Sequence, residues 1–391
     1  MSLQKYGKSF LLISIIIACS VFNSSNSSII GFSTSIDETR KNNNNNNNND
    51  LTSTCNISGI NCLDDIVLHL QKEEEDVYSQ TDLIIDQVNS TKLKEWIDTL
   101  SQFHTRHIKS SHIENAAYWL KGELQTVCED NIVFFQNYTK IDENVTYQLN
   151  NIICTKHGTA SPQSQNNNTI IIGAHYDSRA ENINNIDARA PGADDNASGV
   201  SALLEIVRII YHLNLKNNIE FVLFSGEEQG QGGSNYYVKH LDDNNDNKNN
   251  TTIKLYLNLD MVGYPPQSIL SPSPPPSPPL PSNQSNKVKI EYDVGNEYLT
   301  NDNYSKTIAL FIRQIASNYT DLQANLDKLT NSDFIPFETD AHTVIGIHDE
   351  GVTENPNYHK SSDTPLTLNI EYLTSITKLV LAIILELDNS S

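Results

Sequence analysis

The chain has 391 residues, 26 of them Lys or Arg and 48 Asp or Glu, for a formal net charge of −22 at neutral pH. So acidic a balance argues against a general affinity for nucleic acid or anionic membranes. The length, once tails are set aside, suits one α/β domain of about 300 residues with a sizeable core.

At the N-terminus Lys5 and Lys8 precede an apolar run from Phe10 to Phe22. That run is shaped like the core of a signal peptide and is short for a membrane span, so residues 1–22 are read as a cleaved signal, with a retained anchor as the alternative. The protein is then expected outside the cell, or in a lysosome-like compartment. Residues 23–62 are rich in Ser, Thr and Asn, including eight consecutive Asn from Asn42 to Asn49. They lack the apolar residues that offset chain ordering and form a low-complexity segment, a candidate propeptide, ahead of a domain spanning 63–391. Without Cys19, four cysteines remain. Nearness in sequence pairs Cys55 with Cys62 and leaves Cys128 for Cys154, with buried free thiols as the alternative. Acceptor triplets for N-glycosylation include those starting at Asn56, Asn89, Asn137, Asn144, Asn167, Asn249, Asn283, Asn303 and Asn318. Another, at Asn196, sits beside Asp195 in a position expected to be inaccessible.

Helical periodicity from Leu63 to Trp119 places two or three helices before any strand, with Leu93, Trp96, Ile97 and Leu100 on one face. Strands are then expected at Ile132–Tyr138, Leu149–Thr155, Thr169–Gly173, Ile219–Phe224, Lys254–Leu259 and Thr343–Ile347. Helices are expected at Ser198–Leu213, Ser234–Leu241, Tyr304–Tyr319 and Ile370–Leu387. Such alternation predicts an α/β fold with a mixed, mostly parallel central sheet flanked by helices on both faces. The last helix is apolar but interrupted by Glu371, Lys378 and Glu386, which suits a packed core element better than a membrane anchor. The Asn/Asp-rich stretch Asp242–Asn250 and the Pro/Ser-rich stretch 265–281 cannot form a core; the second is read as a loop insertion on the motif face, with a substrate-access element as the alternative.

Five short segments carry the chemistry: Gly173-Ala174-His175-Tyr176-Asp177-Ser178, Gly192 to Gly199 with Asp194 and Asp195, Ser225-Gly226-Glu227-Glu228, Asn258-Leu259-Asp260-Met261, and Tyr358-His359 through Thr364. Ligand-binding side chains of a parallel sheet gather at strand carboxyl ends, where three of these segments fall. Taken singly, an Asp-Asp-Asn turn, a lone His or a Glu pair is ordinary surface chemistry. Three carboxylates and two histidines on converging loops would repel and desolvate one another unless cations neutralised them, and mixed imidazole and carboxylate donors suit zinc, with cobalt or manganese as alternatives.

These segments resemble the M28 zinc peptidases, most closely the secreted bacterial-type, leucyl aminopeptidase branch. The resemblance runs from about Leu100 to the C-terminus and includes Phe103-His104-Thr105-Arg106 and Ala116-Ala117-Tyr118-Trp119-Leu120. It implies two zinc ions bridged by Asp195, with His175 and Asp260 completing one site and Glu228 and His359 the other. It implies further that Asp177 orients His175 and that Glu227 is the general base. The implied activity is hydrolysis of the first peptide bond of peptides with a free N-terminus, by a monomer, with first residues often apolar. A carboxypeptidase, a dipeptidase, a glutaminyl cyclase and a non-catalytic binding glycoprotein are the alternatives. The chain departs from the family pattern at Phe334, where His usually follows Ser-Asp, and at Gln231, where Leu is common; the second change is expected to concern helix packing more than chemistry. Thr339-Asp340-Ala341-His342 is more polar than usual, and Asp340 and His342 are read either as substrate contacts or as loop surface.

Overall fold

The computed structural model describes residues 80–129, 132–159, 168–241, 252–265, 286–295, 302–349 and 355–390. The expected signal peptide, the low-complexity segment, the Cys55–Cys62 pair, residues 63–79, the Asp242–Asn250 stretch and nearly all of the proline insertion lie outside them.

Two helices come first, α1 (Ser90–Leu100) and α2 (His112–Gln125). Asn89 starts α1 by accepting the free backbone N–H groups of Thr91 and Lys92 at 3.0 and 3.2 Å, the usual service of an Asn cap. Strands β1 (Val133–Asp142), β2 (Val145–Lys156) and β3 (Asn168–His175) follow, then α3 (Gly199–Ile210), β4 (Asn218–Phe224), α4 (Gly232–Lys239) and β5 (Thr252–Leu259). The chain continues through β6 (Lys287–Tyr292), α5 (Asp302–Tyr319), β7 (Gln323–Lys328), α6 (Phe334–Thr339), β8 (Val344–His348) and α7 (Ile370–Asn389).

The strands form one mixed sheet in the order β1-β2-β4-β3-β5-β8-β6-β7. Its centre, β4-β3-β5-β8, is parallel throughout, while β1, β2 and the β6–β8 pairing are antiparallel. The expected α/β class is therefore present. Neighbouring β3 residues face opposite sides, as a pleated strand requires: Ile170 and Ile172 enter the larger core with α1, α3 and α7, and Ile171 enters a smaller one with Tyr237, Phe334 and Phe337 of α4 and α6. Sequence periodicity did not reveal β6, β7 or α6. Among the described residues no helix is long and apolar enough to cross a membrane, and α7 is packed along its length, with Leu373, Ile376, Leu379, Val380 and Ile383 fully buried. Cys128 and Cys154 form the expected disulfide.

The sheet's register is what assembles the site. His175 pairs with Phe224 and Leu259 with Ile347, so the carboxyl ends of the four central strands finish nearly level. The loops leaving them open into one crevice.

Candidate metal centre

Each ligand-type side chain reaches the crevice from a different strand end or loop. His175 is the last residue of β3, and Asp260 directly follows β5. Glu227 and Glu228 leave β4 through Ser225 and Gly226, and Asp195 lies in the tight turn of 193–198 that leads into α3. That turn needs glycine at both ends. Gly192 has φ +53°, and a Cβ there would overlap the carbonyl of Asp195; a Cβ on Gly199 would lie 2.5 Å from Leu259 O. Asn196 is fully buried within it. Its amide donates to Leu259 O at 2.8 Å, and its oxygen accepts the N–H groups of Gly199 and Met261 at 3.0 and 3.2 Å. The Asn196 triplet is thus inaccessible, as expected.

Asp195 faces two ways. Its Oδ1 lies 3.3 Å from His175 Nε2, which is also 3.3 Å from Asp260 Oδ1; its Oδ2 lies 3.0 Å from His359 Nε2, which is also 3.0 Å from Glu228 Oε2. Two triads result, His175 with Asp195 and Asp260, and Asp195 with Glu228 and His359, and within each the donor atoms lie within 4.8 Å of one another. All five expected ligands are brought together.

The donor set fits a cation on a structural ground as well. His359 Nε2 sits 3.0 Å from two carboxylate oxygens yet makes a proper hydrogen bond to neither, and Glu228 Oε1 is buried without a partner. Buried polar atoms are normally satisfied. Atoms converging at contact distance but poorly aligned for hydrogen bonds are what a shared central ion requires. Electrostatics agree. Burial disfavours charge on His359, yet Asp195 and Glu228 outweigh it and hold the imidazole up at about 9. Burial, with Asp195 beside it, pushes Glu228 up to about 7. Burial disfavours charge on Asp195 too, but the flanking histidines carry its pKa below the ordinary carboxylate range. The cluster demands positive charge and draws protons to obtain it.

Further side chains hold these groups in place. Asp177 accepts the backbone N–H of Glu227 at 3.1 Å and of Glu228 at 3.2 Å, while its distance to His175 Nδ1 is 3.6 Å. It therefore fixes the Glu pair more firmly than the imidazole. Asp260 Oδ2 accepts from Ser332 Oγ at 2.6 Å, and Ser332 Oγ in turn accepts from Asn258 Nδ2 at 2.8 Å. Asp363, on the His359 loop, accepts the N–H groups of Asp194 and Asp195 at 2.9 and 3.2 Å and so ties two ligand loops together. Glu227 is 8% exposed at the edge of a cavity of about 300 Å³. Burial raises its pKa, Asp333, Asp260 and Glu228 add to the rise, and His175 opposes it.

One expectation is corrected. Gln231 does not serve mainly to pack a helix: it lines the cavity, and its Nε2 donates to Glu227 Oε1 and to Asn331 Oδ1, each at 3.2 Å. A polar side chain one helical turn beyond Glu227 was the available signal, and the usual Leu obscured it. Phe334 lies in the smaller core. Asp340 and His342 pair with each other at 3.1 Å and do not line the cavity. Sequence reasoning also passed over Arg179, which donates to Glu228 Oε2 at 2.8 Å, and His348, at the carboxyl end of β8. An isolated Arg after His-Tyr-Asp-Ser and a His closing a short strand carry no pattern of their own.

The model of peptidase family M28 matches residues 151–384. The chain belongs to peptidase family M28. Its relatives include a Pyrenophora teres f. teres protein named a probable zinc metalloprotease, 27% identical over 335 residues, covering 78% of this chain and 66% of that protein. Leucine aminopeptidase 1 of Trichophyton equinum is 26% identical over 303 residues, covering 74% of this chain and 71% of that one. Among solved structures, LapB from Legionella pneumophila has the same M28 fold, with a TM-score of 0.60 over 79% of this chain and 75% of that one at 23% identity. The match to the first Pyrenophora relatives spans 66%, 50% and 50% of their lengths.

Proposed function

We propose that the chain is a zinc-dependent aminopeptidase that hydrolyses the first peptide bond of peptides with a free N-terminus. The observation that carries this reading is Asp195 shared between two abutting triads, with Glu227 beside them in the same cavity. His175, Asp195 and Asp260 would hold one zinc ion, and Asp195, Glu228 and His359 the other. Two bound zinc ions supply Lewis acidity, polarising a substrate carbonyl and bringing the pKa of water toward about 7.

The chain's own side chains do the rest. Glu227 is the general base: it removes a proton from the attacking water as oxygen adds to the carbonyl carbon, then returns it to the amine nitrogen as the C–N bond breaks. Its buried, acid-rich surroundings raise its basicity for the first step. Asp177 keeps Glu227 and Glu228 in register through their two backbone bonds. Asp363 and Arg179 steady the second triad from opposite sides, through the Asp195 backbone and the Glu228 carboxylate. The Cys128–Cys154 disulfide suits passage through an oxidising compartment and supports secretion.

The test is amine release from a panel of aminoacyl chromogenic amides by purified protein, with zinc counted by mass spectrometry. Two zinc ions per chain, turnover, and no cleavage of N-acetylated peptides are expected. Cleavage of an acetylated peptide from its other end would replace this reading with a carboxypeptidase. Ring closure of an N-terminal glutamine without loss of the residue would replace it with a cyclase.

A further inference from the structure

We propose that the cavity selects first residues whose side chains carry an acceptor oxygen, a carboxylate or an amide, over leucine; the proposal rests on the aminopeptidase reading. Apart from the ligand triads and Glu227, the described wall consists of Arg179, Gly230, Gln231, Met261, Thr330, Asn331, His348 and the aromatic ring of Tyr358. Met261 is the one aliphatic side chain among these, and it is only 2% exposed. A leucine side chain placed there would strip water from amide, guanidinium and imidazole groups and offer them nothing in return.

The hydrogen bonds show which polarity the wall presents. The Gln231 amide turns its nitrogen toward Glu227, donating to Oε1 at 3.2 Å. The same nitrogen meets Asn331, which must therefore present its oxygen, and that leaves Asn331 Nδ2 without a partner among the described residues. Arg179 commits Nε to Glu228 and Nη1 to the carbonyls of Ala180 and Glu181. Its Nη2 likewise has no partner among the described residues. Asn331 Nδ2 and Arg179 Nη2 thus stand open as N–H donors to an acceptor oxygen on the ligand, and Gln231 Oε1, which no described residue engages, stands beside them as an acceptor.

The backbone at Gln231 strengthens the inference. Gln231 has φ +49° and ψ +42°, the left-handed region, within the run Gly230-Gln231-Gly232-Gly233. Glycine adopts that conformation without strain and stands on both sides, yet this position carries a long amide directed at the base. Gln231 therefore positions Glu227 and, through Asn331, sets the polarity of the wall.

The experiment measures kcat/KM for glutamyl, glutaminyl, leucyl and alanyl chromogenic amides with the full, zinc-loaded chain. Glutaminyl or glutamyl amide should exceed leucyl amide by about tenfold or more, well below the roughly 10⁴–10⁵-fold of a fully enclosed hydrogen-bonding pocket because this wall is open to solvent. Gln231→Leu and Asn331→Leu should each shift that ratio about tenfold toward leucine. Both substrates are read on one preparation, so any loss of folded protein cancels from the ratio. The comparison of glutamyl with glutaminyl amide tells whether carboxylate or amide is preferred, and either preference supports the proposal. Leucyl amide turned over as well as the other two by the unmodified chain, or a ratio unmoved by both substitutions, overturns the preference and leaves the aminopeptidase reading standing. No turnover of any amide, alanyl included, overturns both.

Discussion

Arg106 supports the most demanding prediction. Its side chain is fully buried and donates to four backbone carbonyls: Tyr176 O at 2.7 Å, Leu100 O at 3.0 Å, Pro191 O at 2.5 Å and Gly192 O at 2.9 Å. Those carbonyls belong to the end of α1, the segment leaving β3 and the loop that presents Asp195. Burial lowers the guanidinium pKa to about 10, while Asp363, Asp177, Asp195 and Glu228 resist the fall, so the group stays charged at neutral pH. At about 1 kcal/mol net per bond, four bonds amount to about 4 kcal/mol. Leaving a buried acceptor unpartnered costs about 1–3 kcal/mol, so about 4 kcal/mol is the lower end for four carbonyls. Arg106→Leu should therefore lower the unfolding free energy by about 4 kcal/mol in urea melts with zinc chelated, a large share of a typical domain's stability. Arg106→Lys should lose about half as much, because an ammonium offers fewer donors and no planar fork. Zinc affinity should weaken alongside, since the Asp195 loop loses its anchor. A melt of Arg106→Leu within about 1 kcal/mol of the unmodified chain would refute the argument.

Three further outcomes are expected. Glu227→Gln should lose roughly 10²–10⁴-fold in kcat while keeping its zinc, measured by amide hydrolysis beside metal analysis; retained activity would remove Glu227 as base. Zinc affinity of the metal-free protein should rise with pH from about 6 to 9 and then level off, because His359, held at about 9, must release its proton to bind. The rise should approach tenfold per pH unit for each proton displaced, and calorimetry in buffers of different ionisation heat should show the release; a flat profile would contradict the assigned ligand. Replacing Cys128 and Cys154 together by Ser should destabilise the fold by about 3–4 kcal/mol on chain-entropy grounds, given a sequence separation of 26, as measured by urea melts against the oxidised protein.

Where the fold was legible in the sequence, the reason was burial. β3, β4 and β5 are covered on both faces, so their apolar runs Thr169–Gly173, Ile219–Phe224 and Lys254–Leu259 stood out against polar surroundings. β7 reads Gln-Ala-Asn-Leu-Asp-Lys at the sheet edge, with Ala324 and Leu326 only partly buried, and edge exposure erased its signal. α6 holds six residues and includes Pro336, too short for helical periodicity to register.

The candidate site divides along a similar line. The candidate ligand positions were legible because metal-binding chemistry restricts each to a few residue types, three of the segments at strand ends, so the family resemblance could be carried across residue by residue. A wall position accepts whatever suits its substrate, and no motif constrains it. Gln231 shows the difference: within a glycine-rich run its identity looked like packing, and only the geometry placed its amide between Glu227 and Asn331. Asp177 shows it again, since the family resemblance associated it with His175, while its two oxygens are taken up by the Glu227 and Glu228 backbone. A second layer acts through backbone N–H groups, which every residue except proline possesses. The sequence cannot mark which of them a carboxylate will hold, and that choice emerges only when the strand ends are brought level.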